Sequence, residues 1–373
     1  MPRFRPDLEG LVTYVPGRPI EEVAREIGMD PAAIIKLASN ESPEGPFPGV
    51  REAVQEAALD SNRYPDSDVH DLTRELSTEL GVANDEIWFG AGSTGLLGSI
   101  ALSVGGAGTT AVYAWPSFIM YRIISRWAGA QAIEVSLDHE HRHDLDAIAE
   151  AITPDTSVVY ICNPNNPTGT IVDDDSLDSF VAGVPDSVLV VVDEAYHHFV
   201  DDPRYRSFLD RAPSRPNVVV LRTFSKIFGL ASHRIGFAVG NSEVLARLRR
   251  TQAPFTVTSV AQAAAMASLG QATEIQRRRL ANSAGRHHLT GALDERGIAR
   301  ADSQANFVFF ELGDGSNAVP DAFTRLGVIV RPMSKGWLRV TIGTPAENER
   351  FVGALDEVLA TIPGHNGFGF NFE

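Results

Sequence analysis

The sequence predicts an α/β protein in which a large domain, built on a mostly parallel sheet, is followed by a smaller α+β domain. Between residues 47 and 250, short runs of consecutive apolar residues alternate with helical patterns. A strand that helices cover on both faces needs apolar residues at consecutive positions, so this alternation indicates a wound parallel sheet. After residue 255 the alternation stops and a long helical pattern begins, which indicates a second domain.

Strand candidates are frequent in the first region. They are EIWFG (86–90), TTAVYA (109–114), QAIEVSL (131–137), TSVVYIC (156–162), VLVVVDE (188–194), NVVVLRT (217–223) and RIGFAVG (234–240). Helical patterns such as STGLLGSIALSVG and SFIMYRIISRWAG lie between these runs. We therefore expect strands and helices to alternate along the large domain.

The second region has fewer and more separated elements. We expect a helical segment over 259–297 with a break near Gly270, strands NFVFFEL (306–312), GVIVRP (327–332) and WLRVTIG (337–343), and helices near 317–326 and 346–361. The predicted organisation is an N-terminal arm with part of the small domain (1–36), a large domain (37–257), a small C-terminal domain (258–362) and a Gly- and Phe-rich tail (363–373).

Composition excludes several kinds of partner. The chain of 373 residues has a net charge of -16, whereas nucleic acids and anionic membranes require a basic face. No apolar run approaches the roughly 18 residues of a membrane span. The first residues lack the apolar core of a signal peptide, and Cys162 is the only cysteine. We expect a protein of the reducing cytoplasm with no intramolecular disulfide.

Two glycine- and asparagine-rich turns follow predicted strands. In FGAGSTGLLGSI, Gly92 and Ser93 open a helix, where backbone N–H groups and the helix dipole favour a phosphate. Taken alone, such a turn is more often only a tight turn. In CNPNNPTGT (162–170), two Asn-Pro pairs predict a rigid turn in which Asn166 is a fixed amide donor.

Two further strand ends carry charged side chains. Asp193 follows a wholly apolar run in VVVDEAYHHF. A buried carboxylate needs a hydrogen-bond donor or a cation as its partner. A ligand could be that partner, but a role as helix cap or in a structural ion pair would also satisfy the carboxylate. Tyr196 follows three residues later. In RTFSKIFGLASHRIG, Lys226 is either a solvated lysine or a reactive amine, and Ser225 and Arg234 could bind an anion beside it.

Together these groups match one cofactor. Pyridoxal 5′-phosphate has an aldehyde, a pyridinium nitrogen, a phenolate and a phosphate. The amine, the buried carboxylate, the hydrogen-bond donors and the anion site described above would bind these four groups in turn. The motifs SNESPEGP, NRYPD, NPNNPTG, DEAY, RTFSKIFGLASHRIG and LRVTIGT occur in the order typical of fold-type I aminotransferases, and residues 5–362 resemble that family. The resemblance is strongest to the branch of histidinol-phosphate and aromatic amino-acid aminotransferases, and it implies the aspartate aminotransferase-like fold.

The resemblance implies roles for the cofactor residues. Lys226 would form the internal aldimine and then shuttle the proton, and Asp193 would keep the pyridine nitrogen protonated. Asn166 and Tyr196 would bind the cofactor O3′, and Phe118 would stack on the ring. The residues implied to hold the phosphate are Gly92, Ser93, Ser225 and Arg234, with Tyr64 of a neighbouring subunit, which implies a homodimer with shared sites.

The substrate residues implied by the resemblance lie elsewhere in the chain. Arg339 would bind the substrate anion through its planar fork, with Asn40 as a partner of the same group. A salt bridge is the structural alternative for Arg339. Tyr14 would line the pocket, and Arg331 would contact a substrate phosphate if the substrate is histidinol phosphate.

The sequence also departs from the family pattern. Ser232 and His233 in LASHR replace smaller and apolar residues, and FTVTS (255–259) resembles the aromatic subgroup. We therefore expect an aromatic amino acid as donor and 2-oxoglutarate as acceptor, with histidinol phosphate as the alternative donor. Another reaction of the same cofactor (oxidation, decarboxylation or elimination) stays open. A non-enzymatic binding protein is disfavoured by Lys226 and Asp193, and no metal site is expected.

Overall fold

The computed structural model describes residues 2, 10–313, 318–334 and 336–361. The chain divides into two compact units. The first comprises the described residues of Met1–Val15, Glu44–Arg279 and Asp302–Ala305, and the second those of Pro16–Pro43, Leu280–Ala301 and Asn306–Glu373. The predicted tail (363–373) lies outside the described residues.

Helices and strands alternate along the first unit and are more separated in the second. The strands are β1 (Ile35–Lys36), β2 (Ile87–Gly90), β3 (Thr110–Trp115), β4 (Gln131–Ser136), β5 (Thr156–Cys162), β6 (Leu189–Asp193), β7 (Val218–Thr223), β8 (Gly236–Gly240), β9 (Phe307–Glu311), β10 (Val328–Ile329), β11 (Arg331–Pro332) and β12 (Trp337–Thr341). The helices are α1 (Ile20–Ile27), α2 (Val50–Ala58), α3 (His70–Leu80), α4 (Gly92–Val104), α5 (Met120–Trp127), α6 (Leu145–Glu150), α7 (Asp174–Gly183), α8 (Ser242–Leu248), α9 (Ser259–Met266), α10 (Ala272–Glu295), α11 (Ala318–Arg325) and α12 (Pro345–Leu359).

The first unit contains a seven-stranded sheet with the order β2-β8-β7-β6-β5-β3-β4. Strands β7, β6, β5, β3 and β4 pair in parallel, and β8 runs antiparallel to both of its neighbours. Each predicted strand of this region is present. All residues of β6 are buried, as expected for a strand covered on both faces. The predicted mostly parallel α/β sheet is confirmed.

The sheet order places the motifs side by side. Strands β5, β6 and β7 are adjacent and parallel, so the segments that follow them leave the sheet at the same edge. Asp193 pairs with Cys162 on one side and with Leu221 on the other. The turn after β2 reaches the same edge, because Gly90 pairs with Gly236 at the start of the antiparallel strand β8.

A hydrophobic core holds α4 and α5 against this sheet. Leu96 and Ile100 of α4 and Ile124 of α5 are fully buried in the cluster that also contains Val191 of β6. Burying such a side chain contributes about 2 kcal/mol. The core therefore determines where α4 begins relative to the strand ends.

The second unit contains a three-stranded antiparallel sheet, β11-β12-β9, and a short parallel pair, β1 with β10. Helix α12 begins with a capping box, in which Thr344 accepts from the backbone N–H of Glu347 and the Glu347 side chain accepts from that of Thr344. The predicted break near Gly270 is confirmed, since Gly270 adopts a φ of 71° between α9 and α10. Within the described part of the chain, every helix is too short or too polar to cross a membrane.

Candidate active site

Asp193 lies at the end of β6 and is only 2% exposed. Its Oδ2 accepts a hydrogen bond from the Tyr121 hydroxyl at 2.9 Å, and its Oδ1 accepts one from the backbone N–H of Ala195 at 3.2 Å. Burial raises the pKa of the carboxyl to about 6, against the opposing effect of the Tyr121 hydrogen bond. The group can therefore serve as the anionic partner of a buried cation at neutral pH.

The raised pKa makes the stability of the cofactor-free protein depend on pH. The folded pKa of about 6 lies above the ordinary value of 3.8, so the stabilisation of the protonated form is present below pH 4 and is lost as the pH rises through 6. Asp193→Asn removes this titration. Relative to the wild type, the free energy of unfolding of the cofactor-free variant should rise between pH 4 and pH 8 by on the order of 3 kcal/mol.

This prediction is tested by denaturant unfolding of both cofactor-free proteins across that range. The comparison uses only the change with pH. At any single pH the variant also differs for a second reason, because the NH₂ group of asparagine would face one of the two donors from which the Asp193 carboxylate accepts hydrogen bonds. Parallel stability curves for the two proteins would show that Asp193 does not titrate in this range.

The predicted rigid turn after β5 is held by Asn165. Its Oδ1 accepts from Ser117 Oγ at 2.7 Å and lies 3.1 Å from His143 Nε2, and its amide donates to the carbonyl of Pro116. Burial lowers the pKa of His143 to about 4, so the imidazole is neutral at pH 7. Asn166, the predicted O3′ donor, is buried and follows directly in this turn.

Lys226 and Tyr196 lie close together. The Lys226 ammonium nitrogen is 5.5 Å from the centre of the Tyr196 ring. Lys226 is half-buried, and its carbonyl accepts from the N–H of Gly229 at 3.0 Å. Arg278 donates to the carbonyl of Ile227 and so holds the chain immediately after the lysine. The amine thus projects from a chain segment that hydrogen bonds fix in place.

An anion cradle lies where α4 begins. Gly92 adopts a φ of 70°, and a Cβ on it would lie 2.7 Å from Nη2 of Arg234. A Cβ on Gly236 would lie 2.8 Å from the backbone nitrogen of Ser93. Ser225 is buried two residues beyond β7, whose last residue pairs with Gly236. A helix N-terminus beside a guanidinium is suited to a phosphate, and the residues present fit that group.

The two other aromatic candidates for cofactor contacts have different surroundings. Phe118 contacts Tyr121 edge-on, with ring centres 5.7 Å apart. Tyr64 is 83% exposed and stacks on Phe255 with ring centres 4.7 Å apart. Its predicted contact with the phosphate of a neighbouring subunit stays a prediction.

The second unit brings three predicted substrate residues to one sheet. Nη2 of Arg339 donates to the carbonyl of Ala38 at 2.8 Å, and the N–H of Asn40 donates to Thr341 Oγ1 at 2.9 Å. Arg331 of β11 lies directly opposite Arg339 of β12, so the two side chains leave the same face. Two cations on one face are suited to an anionic ligand.

The remaining candidates are Tyr14, Ser232 and His233. Tyr14, in the first unit, is 52% exposed, and its place at the substrate stays a prediction. Ser232 is exposed and His233 is half-buried in the turn Ala231–His233, where burial lowers the imidazole pKa. His233 is therefore neutral at pH 7.

Two interactions were not predicted from the sequence. Tyr121 as the donor to Asp193 has no local signal, because the two residues lie on separate elements. Glu194 is buried and accepts from Arg222 through Nε at 3.1 Å and Nη2 at 3.0 Å. An arginine inside the apolar run of β7 is the signal that could have indicated this ion pair.

Comparisons with known proteins identify a family that the chain matches. The model of the family described as aminotransferase class I and II matches residues 32–355. The chain is 44% identical over 364 residues to histidinol-phosphate aminotransferase 1 of Cupriavidus pinatubonensis, covering 95% of this chain and 96% of that one. It is 42% identical over 356 residues to the aromatic amino acid aminotransferase of Streptomyces coelicolor, covering 95% and 97%.

A solved structure shows the same fold. The crystal structure of histidinol-phosphate aminotransferase from Sinorhizobium meliloti, in complex with pyridoxal-5′-phosphate, superposes with a TM-score of 0.87 at 28% identity. The superposition covers 96% of this chain and 98% of that one. The likeness thus extends over both units of the chain.

Proposed function

The chain belongs to the aminotransferase class I and II family, and on that premise we propose that it transfers the amino group of an aromatic or imidazole-bearing donor to 2-oxoglutarate. The chain is an aminotransferase of the aspartate aminotransferase-like fold type I, and its cofactor is pyridoxal 5′-phosphate. The cofactor, when bound, supplies an electron sink for the bond broken at the substrate Cα.

The observation that carries the proposal is the arrangement at the sheet edge. Asp193, a buried carboxylate, would pair with the protonated ring nitrogen of the cofactor. The cradle of Gly92, Ser93, Ser225 and Arg234 would bind its phosphate. Asn166 and Tyr196 would donate to O3′, and Phe118 would lie against the ring. Lys226 would hold the cofactor covalently and then take and return the proton at the substrate Cα.

The donor is proposed from three observations. The relatives carry both names, histidinol-phosphate and aromatic amino acid aminotransferase. The segment 255–259 resembles the aromatic subgroup, and Ser232 and His233 depart from the usual family pattern. Arg339, with Asn40 nearby on the same unit, would bind the carboxylate that amino and oxo acids share. We therefore favour an aromatic amino acid as donor.

Histidinol phosphate is the second candidate donor, and the position of one residue favours it. A guanidinium is suited to bind a phosphate. Arg331 lies directly opposite Arg339 on the adjacent strand, and a substrate phosphate would bind there to both guanidinium groups.

The experiment is a donor screen with 2-oxoglutarate. Phenylalanine, tyrosine, tryptophan, histidine and histidinol phosphate are each scored by the glutamate formed. Glutamate from the aromatic donors supports the proposal, whereas dominant activity with histidinol phosphate would replace it by the second candidate. No glutamate from a cofactor-loaded protein would point to another reaction of the same cofactor.

Arg331→Gln tests the substrate role of the second arginine. If a substrate phosphate binds Arg331, kcat/KM for histidinol phosphate should fall about tenfold to a hundredfold, while kcat/KM for phenylalanine changes less than about twofold. Arg325→Gln, on α11 of the same unit, is the control for a general loss of positive charge. Equal losses with both donors would make Arg331 a structural residue.

We also propose a homodimer in which Tyr64 serves the neighbouring site. The ring is exposed together with that of Phe255, as expected for residues that another subunit covers. Analytical ultracentrifugation measures the assembly.

A cytoplasmic location is proposed from the single, buried cysteine, Cys162.

A further inference from the structure

The orientation of the Asp193 carboxylate depends on a residue of α5. One of its oxygens accepts from the Tyr121 hydroxyl and the other accepts from the backbone of Ala195. The backbone bond belongs to the segment that follows β6, whereas the hydroxyl comes from a helix packed on the sheet. Tyr121 therefore supplies a side-chain restraint that does not depend on the chain around Asp193.

The Tyr121 ring is itself immobilised by other rings. It is fully buried and stacks on Tyr160, with centres 4.8 Å apart and planes 5° apart. Tyr113 packs at 6.0 Å, and Phe118 meets the ring edge-on at 5.7 Å. Aromatic contacts of this kind restrict both side-chain torsions. The hydroxyl position is consequently set by packing.

The charge state of this pair follows from its surroundings. Burial, followed by the charge of Asp193, holds the pKa of Tyr121 well above its ordinary value, so the phenol stays protonated and can donate. The other titratable groups that affect Asp193 are Glu194, Lys226 and the thiol of Cys162. Glu194 is paired with Arg222, and burial keeps the Cys162 thiol neutral by raising its pKa. Tyr121 thus donates to the ionised form of the carboxylate.

We propose that Tyr121 is a positioning residue for the reaction: its hydroxyl keeps the Asp193 carboxylate ionised and directed at the cofactor ring nitrogen, while its ring supports Phe118. This rests on the proposed role of Asp193. A hydrogen bond to a carboxylate stabilises its charged form, and a fixed carboxylate stabilises a protonated pyridine nitrogen more than a mobile one does. Removing the hydroxyl should therefore weaken chiefly the interaction between Asp193 and the ring nitrogen.

The test compares Tyr121→Phe with the wild type in cofactor binding. The full-length, cofactor-free proteins are titrated with pyridoxal 5′-phosphate and with the analogue in which carbon replaces the ring nitrogen. We expect the dissociation constant of Tyr121→Phe for the cofactor to rise about tenfold, equivalent to about 1.4 kcal/mol, and that for the analogue to change less than about twofold. As the pH is lowered, the cofactor affinity of Tyr121→Phe should begin to fall at a higher pH than that of the wild type, because Asp193 would protonate more readily.

Tyr160→Phe is the matched control. Tyr160 is equally buried in the stacked pair, and among the described residues its hydroxyl has no hydrogen-bond partner. This variant should bind both ligands as the wild type does. Equal weakening of cofactor and analogue in Tyr121→Phe would overturn the inference, since it would indicate a packing defect. If the wild type itself does not prefer the cofactor over the analogue, the assignment of Asp193 fails instead.

Discussion

Lys226→Ala should lower the rate of transamination by at least about 1,000-fold with every donor that the wild type accepts. The variant loses both the covalent link to the cofactor and the base that moves the proton at the substrate Cα. The phosphate cradle and Asp193 are unchanged, so the cofactor should still bind. The loss should appear in kcat measured at saturating cofactor.

Lys36→Ala is the matched control for this lysine substitution. The Lys36 ammonium pairs with Glu41 at 3.2 Å, and exposed pairs of this kind contribute little to stability. Its activity should equal that of the wild type. Borohydride treatment of the loaded wild type should label the peptide that contains Lys226 and leave the Lys226→Ala protein unlabelled. Substantial turnover by Lys226→Ala would refute the assignment of the catalytic amine.

Glu194→Ala should lower the free energy of unfolding by about 3–5 kcal/mol. The Glu194 carboxylate accepts from Arg222, from Ser207 Oγ at 2.7 Å and from the N–H of Phe208 at 2.6 Å. Alanine would leave the buried guanidinium of Arg222 without its counter-charge and two donors without their acceptor. Urea unfolding of the cofactor-free protein measures the change, and Glu194→Gln, which keeps an acceptor, should lose less.

The exposed pair of Arg296 and Asp356 provides the matched control. In this pair, too, an arginine donates through Nε and Nη2 to a carboxylate, at 2.6 and 2.9 Å, although to both of its oxygens, and the Asp356 side chain is 56% exposed. Asp356→Ala should therefore cost less than about 1 kcal/mol. If Glu194→Ala and Asp356→Ala lose equal stability, burial does not determine the strength of the Glu194 pair.

Local sequence patterns were sufficient to predict the strands and helices and several of the motifs. The runs that became β5, β6 and β7 are apolar at consecutive positions, and that pattern depends only on burial on both faces. The break at Gly270 depends on the conformational freedom of one residue, and it is visible within a window of a few residues.

The boundary between the two units could not be predicted from local sequence patterns. The helical pattern begins near residue 259, where the sequence predicted a new domain, yet the first unit continues to Arg279. Helix α9 packs against α2 and α3, which are far away in sequence. Helical periodicity indicates that a segment buries one face, but it does not identify the partner of that face.

The sequence by itself determined the fold class, the cofactor and the residue types at the strand ends. The tertiary structure decided which of those groups touch. Tyr121 reaches Asp193, Gly92 lies against Arg234, and Arg331 stands opposite Arg339 because of strand order, helix packing and register. These arrangements join residues on separate elements, so their cause is the simultaneous packing of the chain around the sheet, which no local window of sequence contains.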